Sequence, residues 1–251
     1  MSDRFVELPL ALFGISIATV MLPKLSDYFN RSNIDAYNRT LNWGLKLGIL
    51  ISFPTMLGLI ILSDPILITL LKYKEFTLND VHMTSIALIA FSIGLPGMIG
   101  SKILITNYYS RKDTKYPVKA ALIAVLCNFI LNIAFVVYLV KTDFNGAHIG
   151  LAVATSLSAY VNFFFLFKNA VKTKIFNMDQ DIVFYILKSV IATIVMSAFL
   201  LYFDLSKQAW MDYELVERVM NLFLLIIFSA LIYFAFLYLF NICLLYTSDA
   251  A

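Results

Sequence analysis

Residues 2–23 read SDRFVELPLALFGISIATVMLP: an acidic, a basic and a second acidic residue at the mouth of an apolar segment. About 20 residues at 1.5 Å rise each cross a hydrocarbon core roughly 30 Å thick, so the stretch is long enough to span a bilayer. Segments like it recur along the whole chain. Of its 251 residues 61% are hydrophobic and only 14% are charged, and the mean hydropathy is +0.84. No soluble globular domain carries that much apolar sequence, so the chain is read as an integral membrane protein. Seven spans are expected, at roughly 4–23, 40–63, 81–109, 117–140, 147–168, 182–203 and 219–245. Barrel strands would be about 10 residues long and would alternate apolar with polar. These segments do neither, which predicts an all-α, polytopic transmembrane helix bundle with no separate soluble domain.

Basic residues give the orientation. Lys24, Arg31, Arg39, Arg111, Lys112, Lys115, Lys119, Lys168, Lys172 and Lys174 fall in the loops after the first, third and fifth spans. The other loops carry Lys72, Lys74, Lys141, Lys207 and Arg218. By the positive-inside rule the richer side is cytoplasmic, which starts the first span outside and predicts a cytoplasmic C-terminus. The first residues lack the basic n-region, short apolar core and cleavage site of a signal peptide, so no processed leader is expected. The charged triplet at the very start, and a last span running into LLYTSDAA without Lys or Arg, read as a piece of a longer protein whose native tail is missing or replaced.

Charges within the spans carry the functional question. Burying one at a membrane helix centre costs about 2.5–3.5 kcal/mol on insertion scales, so such residues face a protein interior or a wet cavity. Asp3, Arg4, Glu7, Lys46 and Lys102 are the candidates. Spacings of three and four place Asp3, Arg4 and Glu7 on one side of one helix within a turn. Carboxylates there can hold the guanidinium, and a guanidinium fork fits phosphate oxygens bidentately. Two readings stand side by side: an anion site, or a helix end whose charges snorkel to water. For Lys46 and Lys102 the same alternatives apply. The loop YYSRKDTKYPVK at 108–119 is either a topology anchor or a surface for anionic membrane lipids.

Other features point away from covalent chemistry. Cys127 and Cys243 lie in apolar segments and share no short spacing with His82 or His148, so buried structural thiols are expected and neither a disulfide nor a metal site. No nucleophile elbow or phosphate-cradling loop is present, and neither cofactor nor nucleic-acid partner is indicated. Pro23, Pro65 and Pro117 fall near span boundaries, whereas Pro9, Pro54 and Pro96 lie inside and predict kinks. The small-residue runs GLPGMIGS at 94–101 and GLAVATSLSA at 150–159 predict close helix packing.

Four blocks, SDRFVELPLALFGISIATVMLPKLS, DAYNRTLNWGLKL at 35–47, KYKEFTLND at 72–80 and YYSRKDTKYPVK, in this order and spacing, resemble the MurJ/MviN family of lipid II flippases. The resemblance covers nearly the whole chain. It implies a fourteen-helix transporter of the multidrug/oligosaccharidyl-lipid/polysaccharide exporter superfamily, of which this chain would be the last seven helices. Residues 1–176 would form most of the second lobe, and 177–251 two additional helices linked in the family to a lipid-tail groove. The implied activity is movement of the undecaprenyl-pyrophosphate-linked peptidoglycan precursor across the bacterial inner membrane by alternating access, with no enzymatic step. Its partners would be lipid II, membrane lipids and the missing N-terminal lobe. The family's D-R-x-x-E motif falls on Asp3, Arg4 and Glu7, which makes Arg4 the pyrophosphate ligand and the two carboxylates its tuners. Related exporters of other polyprenyl-linked oligosaccharides or of drugs, and a non-transporting membrane scaffold, are the competing functions.

Overall fold

The computed structural model describes residues 2–71, 77–141, 147–173, 176–203 and 207–242. Among them every regular element is a helix. Seven helical stretches, at Ser2–Asn30, Ile34–Ile61, Asn79–Tyr109, Lys115–Leu139, Ile149–Lys172, Ile182–Tyr202 and Leu215–Leu239, are long and apolar enough to cross a membrane. They coincide with the seven spans read from the sequence. The loop blocks around 72–76 and 142–146, Cys243 and the YTSDAA end lie outside the described residues.

The first span is α1 (Ser2–Pro9), a π-helical segment (Leu10–Ile15) and α2 (Ser16–Asn30). Pro9 cannot donate to the preceding turn, and the wider helical register follows directly after it, the form in which the expected kink appears. Pro23 does not mark a boundary: α2 runs seven residues past it to Asn30, with Met21 and Leu25 on either side of the proline fully buried. A tight turn through left-handed Ser32 leads into α3 (Ile34–Ile61), capped by Asn33, whose side chain accepts from the Ala36 N–H at 3.1 Å. A short helix α4 (Ser63–Leu71) follows. The third span opens on a capping box in which Thr77 and Asp80 satisfy each other's backbone N–H groups.

That third span is two helices, α5 (Leu78–Ile93) and α6 (Leu95–Tyr109), broken at Gly94 immediately before Pro96. The Gly94 N–H turns to Phe91, and the carbonyls beside the break are taken by a neighbouring helix, α8 (Ala147–Lys172). Ser156 donates to Ala90 O at 2.5 Å and Tyr160 to Ile93 O at 2.7 Å. In lipid, where no water can satisfy a freed carbonyl, such replacement is what makes the break tolerable. Close approach is possible because the facing residues are small: a Cβ on Gly94 would stand 2.7 Å from the Ser156 backbone, and one on Gly97 3.1 Å from the Tyr160 nitrogen. The glycines therefore act in packing, as the small-residue runs predict.

Pro54 shows the same logic. Helix α3 continues through it, but without an N–H at 54 the Leu50 carbonyl, four residues earlier, has no intrahelical donor. Tyr233 supplies one, at 2.6 Å, from α11 (Leu215–Leu239). With its proton given to Leu50, the phenol oxygen accepts from Ser189 at 3.0 Å on α9 (Ile182–Tyr202). One buried hydroxyl thus joins three helices.

In the bundle α6 is central and α7 (Lys115–Lys141) peripheral. Of the apolar window of the third span 56% is buried, against 11% for the fourth. Helix α7 packs on α8 and turns Leu122, Val125, Leu126, Phe129 and Ile130 outward, a lipid-facing surface. The pair α9 and α11 packs against α3, and the short helix α10 (Lys207–Asp212) is tied to α4 by a 2.8 Å pair between Lys207 and Asp64.

Candidate functional site

Helix α1 buries Ser2, Val6 and Pro9, with the Ser2 hydroxyl donating to Thr84 O on α5 at 3.1 Å. The opposite face carries Asp3, Arg4 and Glu7, all exposed, and continues through Leu8, Leu12 and Ile15. The three charged residues therefore share one side of one turn, as their spacing predicts. Arg4 Nε lies 3.9 Å from Glu7 Oε2, and the two side chains are 81% and 63% exposed. That is a loose contact rather than a bidentate fork. It steers the guanidinium while leaving its planar edge accessible to an external anion.

Lys46 has another fate. Its Nζ sits 2.5 Å from Asp179 Oδ2, with the lysine side chain only 16% exposed, and 4.7 Å from the centroid of the Tyr185 ring on α9. It is thus not a lysine snorkelling to water: the acid it needs is supplied by the segment joining α8 to α9. That segment is held at two further points by residues one and two turns earlier on α3. Asn42 donates to Asn177 O at 2.8 Å and accepts from Asp179 N at 3.0 Å, and Asn38 accepts from Asn177 N at 2.9 Å. The hydrogen bond from Lys46, reinforced by its charge, outweighs partial burial and holds the Asp179 carboxyl below its usual range. Asn38, Asn42 and Lys46 form an i, i+4, i+8 stripe whose role the sequence reading missed. The only available signal was that polar period on an otherwise apolar helix.

Beside this stripe lies an apolar cavity of about 320 Å³ between α3, α6, α8 and α9. Gly48 and Ile49, Gly97 and Gly100, Phe163 and Ile186 contribute to its walls. Lys102, the remaining candidate, is exposed on α6 between buried Ser101 and Ile103. Arg4 begins the first span and Lys46 lies closer to the α2–α3 turn. At 1.5 Å per residue they are separated by about 21 Å along the bundle, so the structure does not gather the cationic candidates into one cluster.

In the 108–119 loop Tyr109 is exposed, whereas Tyr108 and Tyr116 are used internally. Tyr108 is buried, donates to Leu166 O at 2.6 Å and stacks on Tyr116 at 5.4 Å. Arg111 lies 5.3 Å from the Tyr108 ring centroid and donates to Asn107 O at 2.7 Å, whereas Lys112, Lys115 and Lys119 are exposed. Between α7 and α8 a polar chain runs from Asn132 to Asn128 and on to Thr155, interhelical glue of the kind membrane bundles use. Cys127 is half-buried and free, and His82 is exposed. No group of three His, Cys, Asp or Glu side chains able to hold a metal occurs among the described residues.

The family model described as lipid II flippase MurJ matches residues 1–221. The chain belongs to the MurJ family. A probable lipid II flippase MurJ of Vibrio cholerae is 35% identical over 96% of this chain and 45% of its own length. The corresponding protein of Haemophilus influenzae is 34% identical over 96% of this chain and 47% of its own length. A solved structure of a lipid II flippase MurJ in an inward closed conformation superposes with a TM-score of 0.75 at 32% identity, covering 95% of this chain and 45% of that one. The chain spans about half the length of the MurJ relatives it matches, and it is a multi-pass membrane protein with the fold of part of a MurJ transporter.

Proposed function

We propose that this chain forms one half of a lipid II flippase of the bacterial inner membrane, and that Arg4 binds the pyrophosphate of the lipid-linked precursor. The single observation that carries the reading is the state of Arg4: exposed beside Asp3 and Glu7 at the head of an apolar helix face, and only loosely paired. In a family member half the length of its relatives, that face is where a second lobe would enclose a cavity. Within such an enclosure water is excluded and a bidentate guanidinium–phosphate contact gains strength. Asp3 and Glu7 orient the guanidinium and lower the net charge of the cavity. Lys102 is a secondary candidate for the anion, and Lys46, already paired, contributes only if Asp179 releases it.

Residues 1–176 are assigned to the lobe and 177–251 to two additional helices, a division supported by the linker before α9. The apolar cavity shared by α3 and α9 suits part of a polyprenyl tail. Transport then proceeds by alternating access, driven by the different affinities of inward-open and outward-open states for the charged head group. The C-terminus lies in the cytoplasm, supported by the basic loops on that side. The test is made in the complete transporter carrying this half. Arg4→Ala and Arg4→Lys are expected to fail to sustain growth of a strain dependent on it, and to lose export of lipid II. Wild-type growth and export with both would refute the pyrophosphate role, and export of a different polyprenyl-linked oligosaccharide in preference would reassign the substrate.

A further inference from the structure

We propose that residues 177–181 are a releasable strap that closes one end of the apolar cavity, fastened by the stripe Asn38, Asn42 and Lys46. The inference stands on the strap's geometry and holds whether or not the chain serves a flippase. Three features support it. First, the fastening is specific: Asn38 and Asn42 read the backbone of Asn177 and Asp179, and Lys46 reads the Asp179 carboxylate. A segment outside any helix is thereby given hydrogen-bond partners at successive turns of α3. Second, the fastened residues flank Met178, which lines the cavity and is at the same time 44% exposed. A residue that meets both the cavity and the outside is at the mouth. Third, the strap ends at Ile182, a further lining residue and the first of α9. Moving the strap therefore moves one wall of the cavity.

The fastenings are polar and lie at the bundle's end, where water can take over each hydrogen bond as it breaks. The segment's core anchor is Phe176 at its α8 end, 1% exposed and edge-on to Phe167, so release pivots there and frees residues 177–181, which are held by exchangeable bonds. Asn177 and Met178 are bound through main chain or by position, so the identity of the Asn177 side chain matters little.

The test uses the full chain in lipid nanodiscs with Cys127 and Cys243 replaced by Ser. A reporter Ser52→Cys is placed on a buried cavity-lining residue, and its rate of reaction with N-ethylmaleimide is measured. A second reporter, Ser101→Cys, is buried but off the cavity. Asn42→Ala and Lys46→Ala are each expected to raise the Ser52→Cys rate about 5-fold or more, since labelling through an open form tracks its population. The exchange Lys46→Asp with Asp179→Lys should return it toward the parent rate, and Asn177→Ala should leave it unchanged. Equal rates at Ser52→Cys in every strap variant would overturn the proposal. So would an equal rise at Ser101→Cys, which marks general loosening of the bundle.

Discussion

Two cations within spans, Arg4 on α1 and Lys46 on α3, look alike in the sequence, yet their ion pairs differ in every physical respect. Arg4 and Glu7 stand 3.9 Å apart, mostly exposed, within one turn of one helix. Lys46 and Asp179 stand 2.5 Å apart, with the lysine nearly covered, and come from segments 133 residues apart in the chain. The first pair costs little entropy and gains little energy. The second closes a long loop and is backed by two asparagines and a tyrosine ring. A charge within a span is therefore not by itself a functional mark: what matters is whether the fold has already supplied its partner. Lys46 has been answered from within the chain, whereas Arg4 offers its fork outward.

The comparison breaks most visibly through activity. Arg4→Ala in the complete transporter is expected to lower lipid II export at least 100-fold while leaving the thermal midpoint of the purified protein within experimental scatter, since exposed pairs contribute about 0.2–1 kcal/mol. A large fall in stability instead would put Arg4 in the same class as Lys46. On the α3–α9–α11 side the largest loss should come from Tyr233→Phe, which leaves the Leu50 carbonyl unsatisfied in an apolar interior at a cost of about 1–3 kcal/mol, read as reduced resistance to denaturant. Lys46→Ala should cost less, about 1–2 kcal/mol, because Asp179 is partly open to water and can be rehydrated.

Acid sharpens the contrast further. The Asp179 carboxyl titrates below its ordinary value when folded, so its contribution is complete above the unfolded value near 4 and is lost as pH falls through the lowered one. The difference in thermal midpoint between wild type and Asp179→Asn should be constant from about pH 8 to pH 5 and shrink below about pH 4. Smallest of all, Glu7→Gln should change stability by less than about 0.5 kcal/mol, with any effect confined to transport.

The seven spans were legible because hydrocarbon thickness demands long apolar runs, and the run lengths state it directly. The common face of Asp3, Arg4 and Glu7 was legible because helical spacing is local. What could not be read were the partners that make the helix breaks tolerable. The split at Gly94 and the continuation of α3 through Pro54 depend on neighbours that donate to the freed carbonyls. Ser156, Tyr160 and Tyr233 are ordinary residues until those neighbours are in place. Asp179 was invisible for the same reason: nothing in the sequence around it points to a lysine on the second span.

The bond from Tyr233 to Leu50 also has a bearing on how the protein is made. The two residues are 183 positions apart, and ribosomes add about 5–20 residues per second, so the second span is complete some 10–40 s before its missing donor is synthesised. Through that interval the membrane holds a helix with an open carbonyl near its middle, served by lipid-borne water, by the insertion machinery or by nothing. The last span therefore acts as the finishing step of the second, and chains ending before Tyr233 should be cleared by membrane quality control faster than chains ending shortly after it.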